Sequence, residues 1–196
     1  MSRRPVVARA SQLLNAPNAF LFLDRPAEQF RAEAERLLAE GLERADAFAA
    51  TYAGKVAGLD GAGLVAAMAE LAAISDLVSR AGNYASLRFS VDTADPKIGA
   101  LVAKVQERGT EIETRLIFFE LEWAALDDAT ADALIEADGL DQSRHYLRSA
   151  RRYRDHLLTE PEEKIMAEKS VTGSSAWSRL FSELTSAITV DRKSVV

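Results

Sequence analysis

The sequence predicts an all-α protein built from long antiparallel helices. Almost every apolar segment repeats with the 3.6-residue period of a helix rather than the two-residue period of a strand. Helix-start signals, in which Asp or Thr precedes a Pro in the first turn, occur at Asp24, Asp95 and Thr159. Glycine-rich turns separate the apolar segments. Only the short segment 188–190 hints at a strand.

Two helices are predicted in the amino-terminal half. Asp24 is placed to cap a first helix over about residues 25–53, with Pro26 in its first turn. The glycine-rich turn 54–63 follows, and Asp60 is placed to cap a second helix that continues to about Phe89. The apolar positions of these helices are Phe30, Ala34, Leu37, Leu38, Ala45, Phe48 and Tyr52, then Leu64, Met68, Leu71, Ile74, Leu77, Val78, Ala81 and Tyr84.

Asp95 and Pro96 predict the start of a third helix that keeps one apolar face for some thirty residues, or about 45 Å. Its apolar positions are Ile98, Leu101, Val102, Val105, Ile112, Leu116, Phe119 and Trp123. Gly109 lies inside this helix and costs about 1 kcal/mol relative to Ala. We interpret it as the site of a close helix crossing.

Shorter helices follow. One begins at Asp128 and is ended by Gly139, and another spans about residues 141–157. Thr159 and Glu162 have the spacing of a capping box, which predicts a helix over about residues 160–169. Residues 172–175 stop this helix and cap the next. The apolar face of that last helix contains Trp177, Leu180, Phe181, Leu184 and Ile188.

Composition restricts the protein class. The chain has 196 residues, enough for one domain with a sizeable core, and is 48% hydrophobic and 28% charged. Its net charge of -6 argues against nucleic acid as a partner. The absence of cysteine is compatible with a cytoplasmic location. We expect a loose tail over residues 1–23 and, because no apolar run approaches about 20 residues, no membrane partner.

A basic run over residues 144–154 is the strongest electrostatic feature. Arg144, Arg148, Arg151 and Arg152 are predicted to share one helix face, with Leu147, Ala150 and Tyr153 directed away from it. One interpretation is a solvated face whose arginines pair with Glu160, Glu162 and Glu163. The other is that these four arginines bind substrate carboxylates, which suit the bidentate geometry of guanidinium.

Other candidate groups receive structural interpretations. Glu111, Glu113, Glu120 and Glu122 are predicted to form a solvated helix face, since no nucleophile or metal accompanies them. Phe118, Phe119 and Trp123 are predicted to pack in the core. His145 and His156 are the only histidines. On one helix they would lie about 16 Å apart, too far to share a metal ion.

Three segments together resemble a known family. They are YASLRFSVDTADP at 84–96, FFELEWAALDD at 118–128 and HLLTEPEEKIMAEKSVTGSSAWSRLF at 156–181. In this order they resemble the amino-terminal region of oligoendopeptidase F, in the thimet-oligopeptidase-like superfamily of zinc metallopeptidases. The resemblance extends from about residue 84 to residue 190.

The resemblance implies that residues 24–190 form the non-catalytic helical lobe of a zinc oligopeptidase. In the full-length parent this lobe would be a wall of the chamber that holds short peptides. The His-Glu-x-x-His motif that holds zinc in such enzymes is missing here, so no catalytic residue carries over. We expect the zinc-bearing catalytic domain to be absent from this chain and to be its partner in the parent.

The chain alone is therefore expected to bind no zinc and to be inactive. Residues 191–196 are expected to be a truncated or non-native end. A stand-alone helical protein-interaction module without enzymatic activity remains the alternative. A helical nucleic-acid regulator would require the basic run to dominate the acidic net charge.

Overall fold

The computed structural model describes residues 27–189, with side chains from residue 31, and this range folds into helices without any strand. Ile188 and Thr189 are not in a strand, so that hint is wrong for these two residues. The described residues do not include the predicted tail 1–23, the predicted cap Asp24 with Pro26, Val190 or the predicted non-native end 191–196. The all-α prediction is confirmed.

Seven α-helices and two short 3-10 turns make up the described chain. The helices are α1 (Ala27–Tyr52), α2 (Gly61–Val91), α3 (Pro96–Ala125), α4 (Asp128–Ile135), α5 (Arg144–Arg152), α6 (Glu160–Thr172) and α7 (Ser174–Ser186). The 3-10 turns are Val56–Gly58, before α2, and Arg154–His156, after α5.

The predicted and observed helix starts agree where the capping side chain lies within a few residues of the amide that it binds. The Asp60 carboxylate accepts a hydrogen bond from the Gly63 amide at 2.7 Å, and the Asp95 carboxylate accepts one from the Lys97 amide at 2.8 Å. The Glu162 carboxylate accepts hydrogen bonds from the Thr159 amide at 3.0 Å and from the Thr159 hydroxyl at 2.6 Å. These contacts confirm the predicted starts of α2, α3 and α6.

The remaining boundaries agree only in part. Helix α4 begins at Asp128, as predicted, and the preceding Asp127 caps it, since the Asp127 carboxylate accepts a hydrogen bond from the Thr130 amide at 2.9 Å. The helix ends at Ile135, before Gly139, which has a φ of 94° in the following turn. The predicted helix over 141–157 is shorter than expected, since α5 covers only Arg144–Arg152 and a 3-10 turn follows.

The first three helices form an up-down-up bundle. Lys104 pairs with Glu35 and Arg115 pairs with Asp46, both at 2.6 Å, so α1 and α3 run parallel with a constant register. The short loop after α2, in which the Asp92 carboxylate accepts amide hydrogen bonds, makes α2 antiparallel to α3. Each helix is thus antiparallel to its neighbour in sequence.

The core lies between these three helices. The ring of Phe48 on α1 lies 5.6 Å from that of Phe119 and 5.9 Å from that of Phe118, and both phenylalanines are buried, as predicted. The interpretation of Gly109 as a close crossing is wrong, because a Cβ atom there would meet Val78 at an ordinary 3.7 Å. The tighter position is Gly41, whose Cβ would lie 3.2 Å from Ile112 Cδ1.

Helix α2 is long and apolar enough to cross a membrane, judged by length and composition only, which corrects the expectation that no such segment exists. In this fold α2 packs between α1 and α3, and eight of its residues are buried. Only 28% of this apolar window is buried, so the core of the bundle accounts for part of its hydrophobicity.

The last two helices lie at the edge of the bundle. Helix α6 packs on α3, and α7 packs on α6. None of the residues in α6 or α7 is fully buried. A single residue, Gly173, separates these helices, and a Cβ atom there would lie 2.9 Å from the Lys169 carbonyl oxygen. The Thr93 and Ser186 hydroxyls, 2.7 Å apart, link the end of α7 to the loop before α3.

Candidate functional site

Arg151 joins three helices. Its guanidinium donates hydrogen bonds to the carbonyl oxygens of Trp123 at 3.0 Å and Leu126 at 2.9 Å, and to the Asp128 carboxylate at 2.6 Å. The two carbonyls belong to the carboxyl end of α3, where helical carbonyls lack intrahelical partners and a cation is favoured. Arg151 is only 9% exposed, so this side chain fixes the junction of α3, α4 and α5.

The same junction is reinforced by two neighbours of Arg151. The Trp123 indole donates a hydrogen bond to the Leu147 carbonyl oxygen at 2.9 Å, which attaches α5 to α3. Arg154 also pairs with the Asp128 carboxylate at 2.6 Å. The hydrogen bonds from Arg154 and Arg151 hold the pKa of Asp128 below its usual value.

The other candidate arginines are more accessible. Arg144 donates to the Ile135 carbonyl oxygen at 3.1 Å and pairs with Asp141 at 2.7 Å. Arg148 pairs with Glu136 at 2.8 Å. Arg152 is exposed and forms no hydrogen bond or ion pair with any residue between 27 and 189.

The four arginines do not share one exposed face, which corrects the prediction. Arg151 lies on the buried side of α5 with Leu147 and Ala150, because its guanidinium can reach the end of α3 from that side. Tyr153, predicted to lie away from the charged face, is 65% exposed. The predicted pairing with Glu160, Glu162 and Glu163 is also wrong, since the ion-pair partners are Asp128, Glu136 and Asp141.

An open groove of about 770 Å³ lies between α2 and α3. Its sides are formed by apolar residues of both helices, and Tyr146 of α5 and the α6–α7 junction complete it. Its volume is in the usual range for small-molecule and peptide sites. The residues that give this groove its chemistry are Glu113, Glu120, Tyr146, Ser75, Ser79 and Thr110.

Glu120 is the chemically distinct residue of this groove. Its carboxyl group is partly buried, and this desolvation raises its pKa, with the negative charges of Glu163 and Glu113 adding to the rise. Interaction with the Tyr146 hydroxyl offsets part of the effect. Desolvation of its hydroxyl group, together with Glu120, raises the pKa of Tyr146 to about 12, although the residue as a whole is 44% exposed.

The predicted solvated face of glutamates therefore needs correction. Glu120 is half-buried in the groove, and the Glu122 carboxylate accepts hydrogen bonds from the Gly54 amide at 2.7 Å and the Val56 amide at 3.1 Å. Glu122 thus holds the turn before α2. Glu111 pairs with Arg108 and Arg115, while Glu113 is exposed, as predicted.

A surface formed by α6 and α7 exposes large apolar side chains; we call it the α6–α7 apolar face. Trp177 is 70% exposed, Phe181 69% and Leu184 62%. Leu180 shares the helical spacing of these three residues, and Ile165 and Met166 of α6 and Ile188 after α7 are also exposed. Exposed apolar groups that lie together mark sites of interaction with another surface. The predicted amphipathic pattern of α7 is present, but its apolar side has no cover among residues 27–189.

The described residues do not fit the zinc ion that the resemblance implies for the parent. His145 lies on α5 and His156 in the 3-10 turn, and both are exposed. Between residues 27 and 189 there is no group of three or more His, Cys, Asp or Glu side chains placed to hold a metal ion.

Sequence reasoning missed the groove and the role of Tyr146. The seven-residue spacing of Glu113 and Glu120 places both on one face of α3, which is a usable signal. No local pattern indicates that Tyr146, from another helix, lies beside Glu120.

Comparison with protein families supports one assignment. The family model of the amino-terminal domain of M3 peptidases, described as oligopeptidase F, matches residues 122–189. The match starts in the last turn of α3 and covers the arginine junction and the α6–α7 apolar face. The segment 84–121 lies outside it. Searches of curated proteins and of solved structures found no match. Residues 122–189 are therefore similar to the amino-terminal region of oligopeptidase F.

Proposed function

We propose that residues 24–190 are the amino-terminal, non-catalytic lobe of a cytoplasmic zinc metallo-oligopeptidase that hydrolyses short peptides. In this proposal the lobe forms a wall of the substrate chamber, and the zinc ion is bound by a separate catalytic domain. The family match over residues 122–189 carries the proposal.

The position of the α6–α7 apolar face supports a role beside another domain. The face lies within the matched region and contains aromatic and aliphatic side chains that are well over half exposed. Removing apolar surface from water contributes roughly 25 cal/mol per Å². A catalytic domain that covers this face would therefore be held by a substantial hydrophobic contact.

The arginines of α5 supply candidate contacts to a peptide. Arg148 and Arg152 have exposed guanidinium groups, and Arg152 has no partner within residues 27–189. Arg144 already forms a hydrogen bond with Ile135 and an ion pair with Asp141, and Arg151 forms its hydrogen bonds within the helix junction. Of the four predicted substrate-binding residues, Arg148 and Arg152 are thus the ones best placed to bind a substrate carboxylate.

The direct test is activity of the complete polypeptide encoded by the gene. We expect it to contain about one zinc ion and to cleave a short fluorogenic peptide in a chelator-sensitive way, while the 196-residue chain does neither. A complete reading frame without a downstream His-Glu-x-x-His motif would refute the peptidase assignment.

The role of the arginines is tested by charge reversal in the complete enzyme. Arg152→Glu should raise KM for an acidic peptide with little change in kcat, because binding is weakened without any change at the zinc site. Arg108→Glu, on α3, is the control for the added negative charge. Equal effects of both substitutions on KM would contradict a specific contact at Arg152.

The same apolar face also favours the alternative of a stand-alone helical interaction module. Such a module would use Trp177 and Phe181 to bind another protein, without peptidase activity. A complete protein that lacks zinc and activity, yet forms a stable complex lost in Phe181→Glu, would support this alternative.

A further inference from the structure

The groove between α2 and α3 has the length of a short peptide. It extends along α2 from Met68 to Gly82 and along α3 from Val105 to Glu120. These spans of fifteen and sixteen residues of helix are each about 20 Å long at roughly 1.5 Å per residue. An extended chain rises about 3.3 Å per residue, so the groove accommodates roughly six residues.

The polar groups of the groove suit a peptide backbone. Ser75 and Ser79 of α2 and Thr110 of α3 place hydroxyl groups among apolar side chains such as Leu71 and Val78. A hydroxyl both donates and accepts, so it can serve amide N–H and carbonyl groups alike. A wholly apolar ligand would leave these hydroxyl groups without partners.

The charged residues of the groove favour a ligand that carries a positive charge. Glu113 and Glu120 line the groove, and none of the lysines or arginines between residues 31 and 189 does. Glu163 of α6 adds a third negative charge near Glu120. None of these three carboxylates forms an ion pair within residues 27–189. The groove therefore combines an apolar surface with uncompensated negative charge at the end where α3 terminates.

We propose that this groove binds a short extended peptide with apolar side chains and one basic side chain, whose cation lies between Glu113 and Glu120. The partly buried carboxyl group of Glu120 would exchange an unfavourable environment for a charge-assisted hydrogen bond, which is stronger than a neutral one. The proposal concerns binding by the helical lobe itself, so it holds whether or not the chain belongs to a peptidase.

The test uses the 196-residue chain and three capped hexapeptides, measured by isothermal titration calorimetry. The peptides alternate leucine and alanine and end in lysine, glutamine or glutamate, so the last residue is the only difference. We expect the lysine peptide to bind roughly three- to tenfold more tightly than the glutamine peptide, and the glutamate peptide to bind most weakly.

Variants place the binding site in the groove. Glu120→Gln should remove most of the preference for lysine, whereas Glu107→Gln, on the exposed side of the same helix, should keep it. A side chain at Gly82 would project into open space at the end of the groove, so Gly82→Leu should weaken all binding. Gly99→Leu is the matched control, because Gly99 is also surrounded by open space but lies outside the groove.

Several outcomes would overturn the proposal. One is equal affinity for the three peptides, and another is binding that Gly82→Leu leaves unchanged while circular dichroism shows the variant folded. Absence of binding by all three peptides would also overturn it, as expected if a second copy of the chain or another of its segments filled the groove. Loss of peptidase activity in the parent would not affect these results.

Discussion

Arg151 shows how much one side chain can contribute when its partners come from other helices. Its guanidinium serves two carbonyl groups at the end of α3 and the carboxylate of Asp128 at the start of α4. The arginine pattern of residues 144–154 predicts a helix with one polar side. It could not indicate that Arg151 points inward, because the carbonyls of Trp123 and Leu126 lie more than twenty residues earlier in the chain.

Arg151→Met should lower the free energy of unfolding by roughly 2 to 3 kcal/mol, because it leaves carbonyl groups of the α3 end without their donor. Arg148→Met removes only an exposed ion pair to Glu136 and should cost less than about 1 kcal/mol. Urea denaturation followed by circular dichroism measures both. Equal losses would show that the junction does not depend on the buried guanidinium.

Glu120 predicts a pH-dependent stability difference. Because its pKa is raised in the folded chain above the usual 4.5, ionisation favours the unfolded state. The resulting destabilisation is absent well below pH 4.5 and grows as the pH rises through the usual value toward the raised one. Glu120→Gln should therefore melt at a higher temperature than the unmutated chain at pH 8, and the difference should shrink toward zero below pH 4.

The groups around Glu120 define the control for that measurement. Glu113, Glu163 and Tyr146 face it, so Tyr146→Phe tests the hydroxyl that favours the ionised form. In a chain that carries Tyr146→Phe, Glu120→Gln should therefore raise the melting temperature at pH 8 by more than it does in the unmutated chain. A Glu120→Gln variant with the same melting temperature as the parent at every pH would contradict a desolvated carboxyl group.

At the scale of the helices, local signals determined what could be predicted. The starts of α2, α3 and α6 follow from caps a few residues away, at Asp60, Asp95 and Thr159. The start of α4 also has a local cap, at Asp127, whereas the boundaries of α5 depend on contacts outside the helix. Arg144, for example, begins α5 where its side chain reaches the Ile135 carbonyl oxygen. Such contacts leave no pattern in the neighbouring sequence.

Gly173→Ala and Gly82→Ala should have opposite effects on stability. In Gly173→Ala the new methyl group would lie 2.9 Å from the Lys169 carbonyl oxygen, so the α6–α7 junction must shift, at a cost on the order of 1 kcal/mol or more. Gly82→Ala meets no atom within 4 Å and should stabilise α2 by about 0.5 to 1 kcal/mol.

Hydrogen exchange separates the two cases. Faster exchange of the α7 amides is expected for Gly173→Ala only. Unchanged exchange in α7 would show that the junction tolerates a side chain.

At the scale of the whole molecule, the apolar side of α7 dominates the surface chemistry. The sequence predicted that side correctly, since Trp177, Phe181 and Leu184 follow the helical period. It could not show that the side has no cover between residues 27 and 189, because burial depends on where α6 and α7 pack. The groove beside Glu120 could not be predicted for the same reason, as five separate helices contribute to it.

The α6–α7 apolar face should make the isolated chain self-associate. Phe181→Ser combined with Leu184→Ser should reduce the concentration-dependent increase in sedimentation coefficient and the binding of an apolar dye. Val91→Ser is the control, because Val91 is also an exposed apolar residue but lies at the end of α2. If the double variant and the Val91→Ser control both associate as strongly as the unmutated chain, the face is not responsible for self-association.

The contact between Glu122 and the turn before α2 has a consequence for how the matched region can evolve and be moved between proteins. Residues 122–189 start within a helix, and their first side chain holds the backbone of Gly54 and Val56. The two helices at their other end have no fully buried residue. Transplanted without residues 27–121, this stretch would keep only its own part of the core, around Trp123, Ile135 and Leu147, and we expect it not to fold autonomously. The segment that must be inherited together in order to fold is therefore longer than the segment whose sequence similarity can be detected. A recombination event that transfers only residues 122–189 is expected to give an unfolded chain.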